Sequence, residues 1–317
     1  MSEAVGIERP QQPDYSTLTA EGLVAYREAE NRWRASEAAR AILGTPDPGA
    51  TITWRDVSLP GRALPVRVYR PSSDRGGAGS DLPLVVHVHG GSFVGTAVQC
   101  DWANSHLAVH LPAVVVSVEH RLLDSGTDLA AAAEDGWDVL EHVLRHAAHW
   151  GVDPARAAVF GESFGALISA LTAIRAKESG LRLRAQVLVN PAVDVTDTMF
   201  DYASMTEYAD TPTVGTAQLE LFQRLAVPPG TDARALSPLY AEDLDGLAPA
   251  LVLVPTHDAV ADHGRCYAER LHASGTPTRL IEYPGAPHAF LTLPGVVPQA
   301  EAARNDIREF LRASLTE

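Results

Sequence analysis

The chain has 317 residues, 46% of them hydrophobic, with two cysteines and a formal net charge of −15. That length and apolar content suit one α/β domain with a small appendage. The acidity excludes a broad basic surface for nucleic acid or an anionic membrane, and Cys100 and Cys266, in no CxxC spacing, read as packed thiols rather than a disulfide framework or thiolate metal site.

The opening MSEAVGIERPQQPDYS lacks a basic start followed by an apolar core, and no apolar run approaches the roughly 20 residues that cross a bilayer. A cytoplasmic chain without a membrane span is therefore expected. Residues 17–43 carry a helical pattern, with Thr19 as N-cap and Glu21 in the first turn. TITWRDVSL and LPVRVYRP have the β-branched character and partial alternation of antiparallel edge strands, and SSDRGGAGSD at 72–81 reads as a surface loop.

From residue 84 short apolar runs alternate with helical patterns: LVVHVH, AVVVSV, AAVFG, AQVLVN and ALVLVP. Such runs suit strands buried on both faces of a parallel sheet. Leu129, Ala133, Trp137, Leu140, Leu144 and Ala148 recur at three- and four-residue spacing, one face of a helix. The alternation predicts a mostly parallel α/β sheet with helices on both faces. Residues 195–235 break the rhythm, holding Met199, Phe200, Tyr202, Met205 and Phe222 without a strand. With residues 17–43 they are expected to cover the carboxyl edge of the sheet, where ligands bind, and with Phe93 they are the candidate substrate pocket.

GESFGAL at 161–167 follows the strand AAVF and opens the helical stretch SFGALISALTAIRAKE, so Gly161, Glu162, Ser163, Phe164 and Gly165 form a turn of the G-x-S-x-G type. A nucleophilic serine must protrude from a sharp, crowded turn, and glycines two before and two after let neighbouring backbone pass without a Cβ clash. The helix N-terminus favours negative charge developing nearby. The plainer alternative is a glycine-bounded turn with a serine N-cap; a base and its orienting acid decide between the two.

Twelve histidines compete for the role of base. His142, His146 and His149 lie in a helical pattern, and His106, His110 and His272 read likewise as surface or boundary residues. His288 differs: it sits in YPGAPHAF, a loop after the last strand TRLIEY. Asp258 follows the strand ALVLVPTH, whereas Asp262 falls inside the next helix and is the weaker candidate. The order Ser163, Asp258, His288 is that of an α/β-hydrolase. HGGSF at 89–93 follows another strand, so backbone N–H groups of Gly90, Gly91 and Ser92, with that of Phe164, are the candidate oxyanion hole. His87 and His89 form an H-x-H pair, but the glycines that follow supply no further ligand; no metal or organic cofactor is expected. His89 is expected to brace the oxyanion loop and His87 to pack on the alternate face of its strand.

These residues resemble the bacterial hormone-sensitive-lipase-like branch of α/β-hydrolase esterases. HGGSF is similar to the family's HGGGF loop, VSVEHRL to its VDYRL strand end, GESFG to its GDSAG or GESAG elbow, and HDAVADHGRCYAERL with YPGAPHAF to its DPLRDEG and HGF blocks. The resemblance spans about residues 84–290 and implies an α/β-hydrolase fold, a helical N-terminal cap and a catalytic role for Asp258, the first aspartate of the DPLRD-like block. The corresponding division is a cap segment at 1–50 and a catalytic domain at 51–317 with a cap insertion at about 195–235. It also implies a serine carboxylesterase acting on short- to medium-chain esters through an acyl-enzyme, with a small-molecule ester as its partner; a homodimer is left open. Ser92, Phe164, His120 and Ala289 depart from the family pattern, and Phe164 narrows the acyl site. Those departures keep open a biosynthetic acyltransferase, lyase or cyclase, and a noncatalytic ligand receptor on the same scaffold.

Overall fold

The apolar runs become strands of one eight-stranded sheet in the computed structural model, which describes residues 7–72 and 81–316. The strands are β1 (Ala50–Leu59), β2 (Arg62–Pro71), β3 (Leu82–Val88), β4 (Val114–Val118), β5 (Val152–Glu162), β6 (Ala185–Val189), β7 (Ala250–His257) and β8 (Thr278–Pro287). Their order is β1-β2-β4-β3-β5-β6-β7-β8. β2 runs antiparallel to both its neighbours, and every other pairing is parallel. β4 and β6 are buried at every residue, which is why they read as mainly apolar runs, interrupted by Ser117 and Gln186, whereas the edge strand β1 buries only Val57.

The helices are α1 (Ala20–Arg34), α2 (Arg40–Leu43), α3 (Asp101–His110), α4 (Leu129–Arg145), α5 (Ala147–Trp150), α6 (Phe164–Glu178), α7 (Ala203–Glu207), α8 (Thr216–Ala226), α9 (Ala261–Ala273) and α10 (Gln299–Thr316). Successive strand side chains point to opposite faces. Leu84, Val86 and Val88 therefore share a core with Leu140 of α4 and Leu167 and Ile168 of α6. Val85 shares the opposite core with Leu107 of α3 and Ile307 and Leu311 of α10.

Thr19 caps α1, its hydroxyl accepting from Gly22 N at 3.1 Å. The helical pattern of 17–43 is interrupted after Arg34, so it forms two helices, and the periodicity through Ala148 is likewise split between α4 and α5. β8 continues past TRLIEY to Pro287. His288 thus stands directly behind a strand. Residues 195–235 fold as a 3-10 turn (Asp197–Phe200), α7 and α8. The loop expected at 72–81 lies outside the described residues except at its two ends. Cys100 and Cys266 are free thiols, the first buried. Among the described residues, no helix is long and apolar enough to cross a membrane.

Candidate active site

Three strand ends converge at the carboxyl edge. β5 delivers Ser163, which holds the rare backbone angles φ 53° and ψ −116° and donates its N–H to Val189 O at 2.8 Å. The flanking glycines are required by crowding. A Cβ on Gly161 would lie 2.2 Å from Gly165 O, and one on Gly165 would lie 2.0 Å from Val88 O. Ser163 Oγ is 2.7 Å from His288 Nε2, and His288 Nδ1 is 2.8 Å from Asp258 Oδ2. Asp258 is fully buried behind β7, its other oxygen accepting from Val260 N at 3.1 Å. Asp262 is engaged elsewhere, accepting from Ser204 N at 2.9 Å and from Arg265 at 2.8 Å.

The loop after β3 faces this relay. Gly91 has φ 95°, and a Cβ there would meet Val94 O at 1.8 Å. Gly90, Gly91, Ser92 and Phe164 border the same cavity as Ser163 and His288. Among the described residues, the N–H groups of Gly91, Ser92 and Phe164 have no backbone acceptor. Helix α1 fastens the loop from outside. Arg27 Nε donates to Phe93 O at 2.8 Å, Asn31 exchanges two hydrogen bonds with Gly95 at 2.8 and 2.9 Å, and Arg34 donates to Gln99, whose amide donates to Gly90 O at 3.0 Å.

His89 stacks on His120 with ring centroids 4.2 Å apart. Burial holds the His89 pKa well below the ordinary histidine value, and the neighbouring His120 adds to that effect. His120 is also lowered by burial, although carbonyls of Arg121 and His89 at 3.0 and 3.2 Å pull the other way. His87 turns from its neighbour toward Phe160, Ser117 Oγ and Asn104. Its Nδ1 lies 3.0 Å from the Asn104 amide, and its Nε2 faces Glu162 at 3.7 Å. His87, Glu162 and Cys100 form a buried cluster, but His89 is not part of it.

The structure corrects the pocket reading. Phe93 and Phe222 line the cavity, and Phe222 meets the edge of Phe164 at 5.7 Å. Met199, Phe200, Tyr202 and Met205 do not line it. Their segment is tied to the turn before α9 and to the loop after β6, with Ser204 Oγ donating to Ala259 O at 2.8 Å and Tyr202 donating to Asp194 at 2.9 Å. The walls come instead from Val214 and Leu219 and from Tyr15, Tyr26 and Trp33 of the N-terminal segment. Sequence reasoning also missed Asn190, whose Nδ2 lies 3.4 Å from His288 Nε2. Its available signal was a polar residue ending an apolar strand, the same signal that marks Ser163 and Asp258.

An eight-stranded, mostly parallel sheet with a serine elbow after β5 is the α/β-hydrolase architecture. The family description "alpha/beta hydrolase fold" matches residues 85–292. Carboxylesterase NlhH of Mycobacterium tuberculosis is 37% identical over 81% of this chain and 80% of its own. Ethyl acetate hydrolase of Pseudomonas putida is 30% identical over 90% of each chain. A hyperthermophilic esterase from the archaeon Pyrobaculum calidifontis superposes with a TM-score of 0.83 at 29% identity, covering 92% of this chain and 93% of its own. The chain belongs to the hormone-sensitive-lipase-like esterases of the α/β-hydrolase fold family.

Proposed function

We propose that the protein is a serine carboxylesterase that hydrolyses short- to medium-chain carboxylic esters, with Ser163, His288 and Asp258 as its catalytic residues. The observation that carries this reading is the continuous relay of 2.7 and 2.8 Å from Ser163 through His288 to buried Asp258. His288 Nε2 takes the Ser163 proton as Oγ attacks the ester carbonyl. Asp258 accepts from Nδ1–H, fixing the tautomer and stabilising the imidazolium. The oxyanion is received by backbone N–H groups drawn from Gly90, Gly91, Ser92 and Phe164, each donor worth roughly 3–4 kcal/mol. His288 then protonates the departing alcohol, and a water deprotonated by the same nitrogen splits the acyl-enzyme into acid and free serine.

Residues 1–50 and about 195–235 serve as caps over a catalytic domain at 51–317, and the partner is a small-molecule ester in the cytoplasm. The apolar wall of Val214, Leu219 and Phe222 suits an acyl chain, and the likeness to the P. putida ethyl acetate hydrolase favours small esters.

The test is a burst experiment with p-nitrophenyl acetate through decanoate on the wild type and Ser163→Ala, read also by intact mass. A Ser163-dependent burst followed by turnover is expected. Acylation without turnover would favour transfer of the acyl group to another acceptor. Absence of both acylation and fluorophosphonate labelling would refute a nucleophilic Ser163.

A further inference from the structure

The cavity that holds Ser163 is not uniformly apolar. On the α8 side its lining is Val214, Leu219 and Phe222, whereas α1 and the segment before it contribute Arg9, Glu30 and Arg34. Glu30 is fully buried and serves both arginines: Arg34 Nε lies 3.1 Å from Oε1, and Arg9 donates to the two oxygens at 3.1 and 3.4 Å. One carboxylate between two guanidiniums leaves one positive charge. The remaining acidic group at the cavity, Glu162, is turned toward Cys100 at 3.5 Å and His87 at 3.7 Å. Tyr15, also in the wall, is kept protonated by burial. In a chain of net charge −15, this cation is not a by-product of basic composition.

From this geometry we infer that the cavity contains a carboxylate-binding subsite formed by Arg34 and Arg9, and that the preferred substrate is an ester carrying a free carboxylate. The inference rests on the esterase reading and names its substrate class. Arg34 gives Nε to Glu30 and Nη1 to Gln99; Nη2 has no partner among the described residues. Nη2 is thus left to donate a charge-assisted hydrogen bond to a carboxylate.

The subsite is within reach of the nucleophile. Gln99 bonds Gly90 O at 3.0 Å, and a Cβ placed on Gly90 would be 3.5 Å from Ser163 Cβ, so Ser163, Gly90, Gln99 and Arg34 are consecutive neighbours. Support of the oxyanion loop accounts for Arg34 Nη1 and nothing else. It does not account for Arg9, which bonds Glu30 and stacks 4.7 Å over Trp33. With the carbonyl at Ser163, an ester would extend one of its two halves toward the arginines. Half-esters of dicarboxylic acids and acyl esters of hydroxy acids both carry a carboxylate on one half.

Two matched pairs test the inference: mono-p-nitrophenyl glutarate against p-nitrophenyl butyrate, and 4-acetoxybenzoate against phenyl acetate. They place the carboxylate on the acyl and alcohol sides respectively. For at least one pair, the anionic-to-neutral ratio of kcat/KM should fall about tenfold in Arg9→Gln and in Arg34→Lys, chiefly through KM. Calorimetry on Ser163→Ala should show the same pair's anionic ester binding about tenfold more weakly once Arg9→Gln is added. If the wild type hydrolyses the neutral esters but both ratios stay within twofold in both variants, the subsite is refuted and the esterase stands. If the wild type acylates with none of the four esters, the esterase reading fails and the inference falls with it.

Discussion

Asn31→Ala tests whether α1 supports catalysis or only the fold. The side-chain amide donates to Gly95 O at 2.8 Å and accepts from Gly95 N at 2.9 Å, so alanine strands both backbone groups of one residue. An unmet buried group costs about 1–3 kcal/mol, and at this half-buried site the two together come to roughly 2–3 kcal/mol. Arg27 and Arg34 still hold the loop at Phe93 and, through Gln99, at Gly90, so the fold persists. If the loop shifts to satisfy Gly95, the donors at Gly91 and Ser92 leave their places. A barrier increase of that size lowers kcat by about 30- to 160-fold at nearly constant KM. Stopped-flow acylation by p-nitrophenyl acetate measures the effect, with thermal unfolding alongside. A kcat within twofold of wild type, together with a lowered Tm, would show that α1 stabilises the fold without setting the oxyanion geometry.

Gly165→Ala should abolish acylation rather than slow it, because its Cβ would stand 2.0 Å from the Val88 carbonyl and force α6 from β3; a variant with native Tm and appreciable acylation would refute this. Stability should also fall with acid. Burial lowers the pKa values of His89, His120 and His263, so below about pH 6.5 the unfolded chain takes up protons that the native state refuses. The stabilisation is complete above that pH and is lost as pH drops, by up to about 1.4 kcal/mol per pH unit for each histidine. Glu119, raised by burial, offsets part of the loss at the acid end. Urea unfolding at pH 7.5 and 5.5 measures the difference, and equal stabilities would contradict it.

The parallel strands were legible because burial on both faces favours apolar residues along β4 and β6, with Ser117 and Gln186 the exceptions. Ser163 and Asp258 were legible for a related reason, each a reactive side chain directly behind an apolar strand, while His288 was legible from the glycine- and proline-containing stretch YPGAPHAF around it. The lining of the cavity was not. Met199 and Met205 look like pocket residues by composition, and only the docking of Ser204 and Tyr202 against neighbouring elements decides that they face elsewhere. Arg27, Asn31 and Arg34 were misleading in the opposite way. At spacings of four and three they lie on one polar stripe of α1, which periodicity assigns to solvent, yet that stripe is the surface that grips the oxyanion loop.

The grip of α1 on that loop limits how this enzyme can diverge. Grafting a relative's N-terminal segment onto the sheet would exchange the pocket's charge and, in the same stroke, the fastening of Gly95 and Gln99. Arg34 belongs to both tasks. New preferences should therefore be easiest to install through α8, whose Leu219 and Phe222 line the cavity and can be exchanged without disturbing a loop hydrogen bond.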